Sequence, residues 1–225
     1  MFLGDYMKRL NTILFDLDGT LIDTNEIIIQ SYEAAFSRWL PEVRMDRKTI
    51  IENIGPPLEE IFSRYTEDEK TVDKLFDTFL DFYRRNEHNL FYLYDGVAET
   101  LEVLKDEGYN LGVVTSKFES SAEPSIRHFG LDRIFKCFVT LDKVEHAKPH
   151  AEPVLKALDA FDDVEKAIMI GDNPSDIESG KNAGVLTAGV AWSIKGREIL
   201  NEAGPDYMLE TMEQLFDIIK KETGA

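Results

Sequence analysis

Short apolar runs closed by polar turn residues alternate along most of this chain with segments whose apolar positions recur three and four residues apart. The first run, TILFDLD (12–18), reads as a buried strand that stops on two aspartates. From about Glu26 to Asn89 the spacing becomes helical. NEIIIQSYEAAFSRWL places Ile28, Tyr32, Ala35, Phe36 and Trp39 on one face, and EDEKTVDKLFDTFLDFYRRN does the same with Val72, Leu75, Phe76, Phe79 and Phe82. The aromatic stripe Phe76, Phe79, Phe82 and Tyr83 reads as interior packing. Between these helices NIGPPLEEIF must turn at Gly55-Pro56-Pro57 and then open a short helix. After Asp95 the pattern switches to helix VAETLEVLKDEG, strand YNLGVVTS, helix SSAEPSIRHFG, strand FKCFVTL, helix AEPVLKALDAF, strand KAIMIGD, helix PSDIESGKNAG and strand VLTAGVAW, with the tail DYMLETMEQLFDIIKKE completing it. Strands alternating with helices give parallel βαβ units. The expected architecture is α/β: a Rossmann-like parallel sheet formed by residues 1–22 and 93–225, with a helical domain, 23–92, inserted after the first strand.

Composition narrows the class. The chain has 225 residues, 43% of them hydrophobic and 30% charged, which suits a folded soluble protein with one core and a sizeable insertion. Its 43 Asp+Glu against 25 Lys+Arg give a net charge of −18, which disfavours nucleic acid and anionic membranes as partners. An anionic substrate would need local charge reversal by a metal or a few placed lysines. The single cysteine, Cys137, cannot form an internal disulfide and reads as a strand residue, so a reducing, cytoplasmic setting is expected. The N-terminal stretch lacks a signal-peptide run, and no segment approaches about 20 apolar residues. His88, His128, His146 and His150 show no paired zinc spacing and read as surface or supporting residues. A monomer or weak homodimer is expected.

Three strands end in polar residues where apolar ones would be cheaper to bury. The first ends in Asp16 and Asp18, the second in Thr115, Ser116 and Lys117, and a later one in Gly171, Asp172 and, further on, Asp176. The carboxyl ends of parallel strands form the crevice where ligands bind, so these stretches should converge. Asp16 and Asp18 are two apart and would face the same way on an extended chain. With Asp172 they make a carboxylate cluster that requires a cation. An oxygen-only ligand set suits Mg²⁺ rather than zinc or copper. Lys148, before a proline in a βα loop, would offset the carboxylates and a bound phosphate, and Thr115 offers a hydroxyl to phosphate oxygens. Together these describe a phosphoryl-transfer site.

The ordered stretches DLDGT, VVTSK, the lysine of KPHAEP, and GDNPSD resemble the four motifs of the haloacid-dehalogenase-like (HAD) phosphohydrolases, and the helical insertion falls where that superfamily carries its first (C1) type of cap. The resemblance covers nearly the whole chain. It implies that Asp16 is the nucleophile forming an aspartyl-phosphate. Asp18 would be the acid for the leaving group and later the base for water, so it has to start protonated. Thr115 would be the phosphate-binding hydroxyl, with Ser116 beside it, and Lys148 the charge-balancing lysine. Mg²⁺ would be held by Asp16, Asp172 and the backbone carbonyl of Asp18, with Asp176 in support. Gly19 would let the chain swing into the cap linker. In capped members the stretch matching Gly55 and Pro56 selects substrate.

Softer phrases, TNE, IGPPL, KPHAEPVLKAL, GVAWSIKG and PDYMLE, resemble the HAD-type inorganic pyrophosphatases of the phosphoglycolate-phosphatase-like branch. Pyrophosphate hydrolysis is therefore the expected reaction. A second phosphoryl group needs a cation, and Lys117, Arg47, Lys48 and Arg64 are the candidates. A phosphoglycolate or sugar-phosphate phosphatase, a phosphomutase and a non-catalytic phosphoacceptor module remain the alternatives. Halide displacement is disfavoured, since it needs neither the second carboxylate of DLD nor Mg²⁺.

Overall fold

The computed structural model describes residues 9–223, the side chains of 87–89 excepted, so His88 and most of the N-terminal stretch lie outside the described residues. The chain divides into two compact units. One contains the chain up to Leu21 and from Tyr94 on; the other is Ile22–Leu93.

The first strand, β1 (Leu10–Phe15), precedes the second unit. That unit runs β2 (Ile22–Asp23), α1 (Asn25–Trp39), α2 (Arg47–Asn53), α3 (Leu58–Ser63), α4 (Glu69–Leu90) and β3 (Tyr92–Leu93). The chain then continues through α5 (Val97–Asp106), β4 (Asn110–Val114), α6 (Glu119–His128), β5 (Cys137–Val139), α7 (Glu152–Leu158), β6 (Lys166–Gly171), α8 (Pro174–Asn182), β7 (Leu186–Val190), α9 (Arg197–Ala203), β8 (Tyr207–Leu209) and α10 (Leu215–Thr223).

Six strands form one sheet in the order β5-β4-β1-β6-β7-β8, and every pairing is parallel. Helices cover such a sheet on both faces, so its strands read as near-continuous apolar runs. Ile13, Leu14 and Phe15 of β1 and Ile168, Met169 and Ile170 of β6 are fully buried. Because β1 lies between β4 and β6, the chain leaves it toward both sides of the sheet, which opens a crevice at the carboxyl ends of these three strands. Cys137 lies in β5, half-buried, its thiol pushed up to about 11 by burial, so it is unreactive there.

The second unit is helical apart from the β2–β3 pair. Its centre is an aromatic cluster in which the Tyr32 ring meets Phe79 at 5.1 Å and 79° and Phe62 at 5.7 Å and 74°. These are edge-to-face contacts that suit ring quadrupoles. Of the aromatic stripe, Phe79 and Tyr83 are buried in this packing, whereas Phe76 and Phe82 are half-buried. The buried face of α1 differs from the expected one. Ile27 and Ile29 are fully buried, whereas Ile28 and Trp39 are only half-buried. Helix α1 packs against α2 as well as α4, so its buried arc is wider than a single stripe. Trp39, at the end of α1, donates its indole N–H to the Thr78 hydroxyl at 2.8 Å. Gly55, Pro56 and Pro57 join α2 to α3, and Gly55 adopts φ 121°, which favours glycine. Among the described residues no helix is long and apolar enough to cross a membrane.

Candidate active site

Asp16 follows the last residue of β1, and its N–H donates to the Ile170 carbonyl at 2.8 Å, carrying the ladder with β6 one step past the strand. Lys148, in the loop before α7, buries its ammonium between Asp16 and Asp176. Its Nζ donates to Oδ1 of each at 2.6 Å and to the Val114 carbonyl at 3.0 Å. Only 4% of its side chain is exposed. Burial opposes its charge, but Asp16 and Asp176 outweigh that and raise its pKa above the usual lysine value, so it stays an ammonium.

Asp176 has two duties. Its Oδ1 takes the Lys148 bond, while its Oδ2 accepts the Asn173 N–H at 3.0 Å at the start of α8. The arrangement is a capping box, completed by the Asn173 side chain accepting from the Asp176 N–H; the same side chain also accepts the Ser175 N–H at 3.3 Å. Gly171 is required by this closeness: a Cβ there would lie 2.3 Å from the Asp176 Cβ. Gly19 is held more tightly than a linker hinge would be. It takes φ 81°, and a Cβ would stand 2.4 Å from Asp172 Oδ2.

Carboxylate oxygens of Asp16, Asp172 and Asp176 all lie within 4.8 Å of one another, and all three residues are buried. Burial is the largest influence on Asp16, opposed by Lys148 and reinforced by Asp176, and it pushes the carboxyl up to about 7. Asp172 is raised well above the carboxylate range by burial, then by Asp16 and Asp176, with Lys148 and Lys195 pulling the other way. Three buried carboxylates against one ammonium are under-compensated, and an all-oxygen donor set fits a divalent cation.

The clustered side chains differ from the expected trio. The third is Asp176, expected only in support, and not Asp18. Strand geometry ends at Phe15 and the chain turns through Gly19 and Thr20, so the alternation that would have aligned Asp16 with Asp18 no longer applies. Asp18 pairs with Lys117 instead, Nζ to Oδ1 at 2.8 Å, with each side chain 17% exposed.

Thr115 follows β4, is buried, and its Oγ1 accepts the Lys117 N–H at 3.2 Å in a tight turn; Ser116 is half-buried beside it. Of the four candidate cations for a second phosphoryl group, three lie in the helical unit. There Arg47 meets Glu26 at 2.9 Å, Arg64 meets Glu60 at 2.5 Å, and the exposed Lys48 stands 3.9 Å from Glu52. Lys117 is the one beyond the carboxyl end of β4, beside Thr115. Gly55 and Pro56 stay in their interhelical turn.

Two residues were missed. Buried Ser193 donates its Oγ to the Asp172 backbone carbonyl at 2.7 Å and accepts Lys195 N–H at 3.2 Å, and Lys195 adds positive charge near Asp172. Both lie in GVAWSIKG, a phrase whose chemistry is invisible until β7 is placed beside β6.

An α/β fold carrying this lysine-bridged carboxylate cluster at its central strand ends defines a class that sequence comparison makes explicit. The family model for haloacid dehalogenase-like hydrolases matches residues 13–190, and the chain belongs to that family. Similar curated proteins include a pyrophosphatase PpaX from Anoxybacillus flavithermus, 44% identical over 212 residues (94% of this chain, 97% of that one). A PpaX from Bacillus cereus is 42% identical over the same shares. Among solved structures, a "predicted phosphatase" from Clostridium acetobutylicum aligns with TM-score 0.81 at 29% identity, covering 95% of this chain and 99% of that one. A "predicted phosphoglycolate phosphatase" from Haemophilus somnus aligns with TM-score 0.85 at 25% identity, covering 94% and 99%.

Proposed function

We propose that the protein is a Mg²⁺-dependent phosphohydrolase that works through an aspartyl-phosphate on Asp16 and acts on inorganic pyrophosphate. The buried Lys148 bridging Asp16 and Asp176 carries the chemical reading, because it holds Asp16 in place, counters part of the burial that opposes its ionised form, and puts a positive charge where phosphate charge would be offset. The pyrophosphate assignment rests on the PpaX relatives, similar along 94% of the chain.

Asp16, Asp172 and the backbone carbonyl of Asp18 would hold Mg²⁺, with Asp176 beside them. When bound, the ion would neutralise phosphate oxygens and favour the ionised form of Asp16. Asp16 Oδ attacks phosphorus as the bond from phosphorus to the leaving oxygen breaks, and Asp18 gives that oxygen its proton. Asp18 then takes a proton from water, whose oxygen attacks the phosphorus of the aspartyl-phosphate and releases Asp16 and phosphate. Thr115 and Ser116 bind the transferring phosphoryl group, and Lys148 remains an ammonium throughout. Lys117 leaves Asp18 to meet the second phosphoryl group, so the substrate would itself free Asp18 to take up from solvent the proton it then gives to the leaving oxygen. The helical unit serves as the cap, with Gly55 and Pro56 selecting substrate. The proline-stiffened turn has no long polar side chain to read sugar hydroxyls, and this favours a small, carbon-free leaving group.

A substrate panel at fixed Mg²⁺ tests this. Pyrophosphate should show higher kcat/KM than phosphoglycolate or hexose phosphates, and a tenfold advantage for either of the latter would overturn the assignment while leaving the phosphohydrolase class. Lys117→Ala should cut kcat/KM for pyrophosphate far more than for p-nitrophenyl phosphate. Equal losses would remove Lys117 from leaving-group recognition.

Asp18→Asn separates acid catalysis from electrostatics. Turnover of pyrophosphate should fall by about 10²–10⁴-fold. A p-nitrophenolate leaving group needs no proton, so burst formation of phosphorylated Asp16 from p-nitrophenyl phosphate should persist while its breakdown slows. Loss of the burst would make Asp18 an electrostatic or structural residue.

A further inference from the structure

The loop that buries Lys148 carries two exposed histidines, His146 and His150, one on each side of the lysine in sequence. Their rings lie 4.6 Å apart, tilted by 31°. Glu152, the first residue of α7, completes the group. Its Oε2 is 3.0 Å from His146 Nδ1, and its two carboxylate oxygens also accept the N–H groups of Glu145 at 2.8 Å and His146 at 3.0 Å. His150 Nδ1 accepts the Glu152 N–H at 3.1 Å, which holds the ring beside Glu152; an ion bound through that nitrogen would replace this bond. One potential ligand atom from each of His146, His150 and Glu152 lies within 4.8 Å of the others.

Two imidazole nitrogens and one carboxylate oxygen make a borderline donor set, unlike the all-oxygen cluster around Asp16. Such a set favours Zn²⁺ and neighbouring d-block dications over Mg²⁺, with a further position open to water. We propose that His146, His150 and Glu152 form a second, surface metal site for a Zn²⁺-class dication, separate from the carboxylate cluster. The ion would take the place of the direct His146 Nδ1–Glu152 Oε2 contact.

The surroundings make the site more than a chance meeting of exposed side chains. Glu152 is anchored by the two backbone N–H groups it accepts. The loop is tied to α8, since Ser179 Oγ donates to the His150 carbonyl at 2.7 Å and Asn182 Nδ2 donates to the Pro149 carbonyl at 2.9 Å. The ligands are therefore partly preorganised, which lowers the cost of binding. An ion here would brace the loop that delivers Lys148.

The test is calorimetric titration of Zn²⁺ into the metal-stripped, full-length protein held in saturating Mg²⁺, with Co²⁺ absorption as a reporter of nitrogen ligation. One equivalent should bind and raise Tm. His150→Ala, at an exposed position, should fold normally by circular dichroism and weaken Zn²⁺ by about tenfold or more, while Asp172→Asn should keep it. An unchanged isotherm in His150→Ala, the absence of saturable binding, or loss of binding in Asp172→Asn would each overturn the proposal, the last by placing zinc on the carboxylates.

Discussion

Asp16→Asn should fold and should lose the proposed pyrophosphate turnover by about 10⁴-fold or more, the scale seen when an enzyme's nucleophile is removed. The amide has nearly the same volume but is not an anion. It also removes one of three buried carboxylates, so the metal-free variant should be more stable than wild type near neutral pH. The sign follows from linkage. Asp16 is pushed up to about 7 when folded, above its unfolded value of 3.8, so the folded state binds more protons than the unfolded state between those values. Metal-free wild-type stability contributed by this group is therefore present at low pH and is lost as pH rises toward about 7. Thermal melts in chelator should show the Tm advantage of Asp16→Asn widening over that interval, and saturating Mg²⁺ should shrink or reverse it. A flat difference would mean that Asp16 is ionised throughout by Lys148 alone. Residual turnover above a few per cent, with deamidation excluded, would remove Asp16 from the nucleophile role.

Lys148→Met has the largest expected effect on stability. It leaves Asp16 and Asp176 facing each other in the interior without their shared cation. Removing one partner of a buried ion pair costs about 3–5 kcal/mol, because the surviving charge stays desolvated. Urea unfolding of the metal-free protein should show that loss. Activity should fall as well, since nothing then holds Asp16 in line. The double variant Asp16→Asn/Lys148→Met discriminates charge from packing. With one carboxylate gone, the lysine replacement should cost roughly 1–3 kcal/mol less than in wild type. Strict additivity would mean that the lysine acts through its alkyl stem.

The alternation of strands and helices was readable because a parallel sheet covered on both faces writes each strand as an apolar block. Asp16, Thr115 and Asp172 stood out for the same reason: each follows such a block directly, where burial should exclude it. Elements without such a signature were missed. Helix α2 has seven residues and two apolar positions, although Asp46 marks its start by accepting the Thr49 N–H at 3.0 Å. Helix α9 is as short, and β2 and β3 have two residues each, too few for any period. Within the site, the Asp16–Lys148 pair spans 132 residues and was legible only through the expected convergence of strand ends and the motif resemblance, while the Asp18–Lys117 pair, spanning 99, had no sequence signal. Asp176 was undervalued because its signature is that of a helix start, and one carboxylate proved able both to cap α8 and to hold Lys148.

The two-residue ribbon through which the helical unit joins the rest of the chain has a consequence for modularity. Ile22 pairs with Leu93 and Asp23 with Tyr92, while on the sheet side of the junction the Leu21 carbonyl accepts the Tyr94 N–H at 3.1 Å. Departure and return thus occur at one seam, closed by main-chain hydrogen bonds that any sequence can make. Closing a longer loop costs only logarithmically more, so an insert hung from this seam can grow, shrink or be exchanged without moving β1 against β4 or β6. The aspartate proposed as nucleophile belongs to the sheet-bearing unit and the turn proposed to select substrate to the helical one. An insert of different length or sequence hung from this seam should therefore leave the Asp16–Lys148–Asp176 contacts as they are, which makes the helical unit the natural segment to exchange.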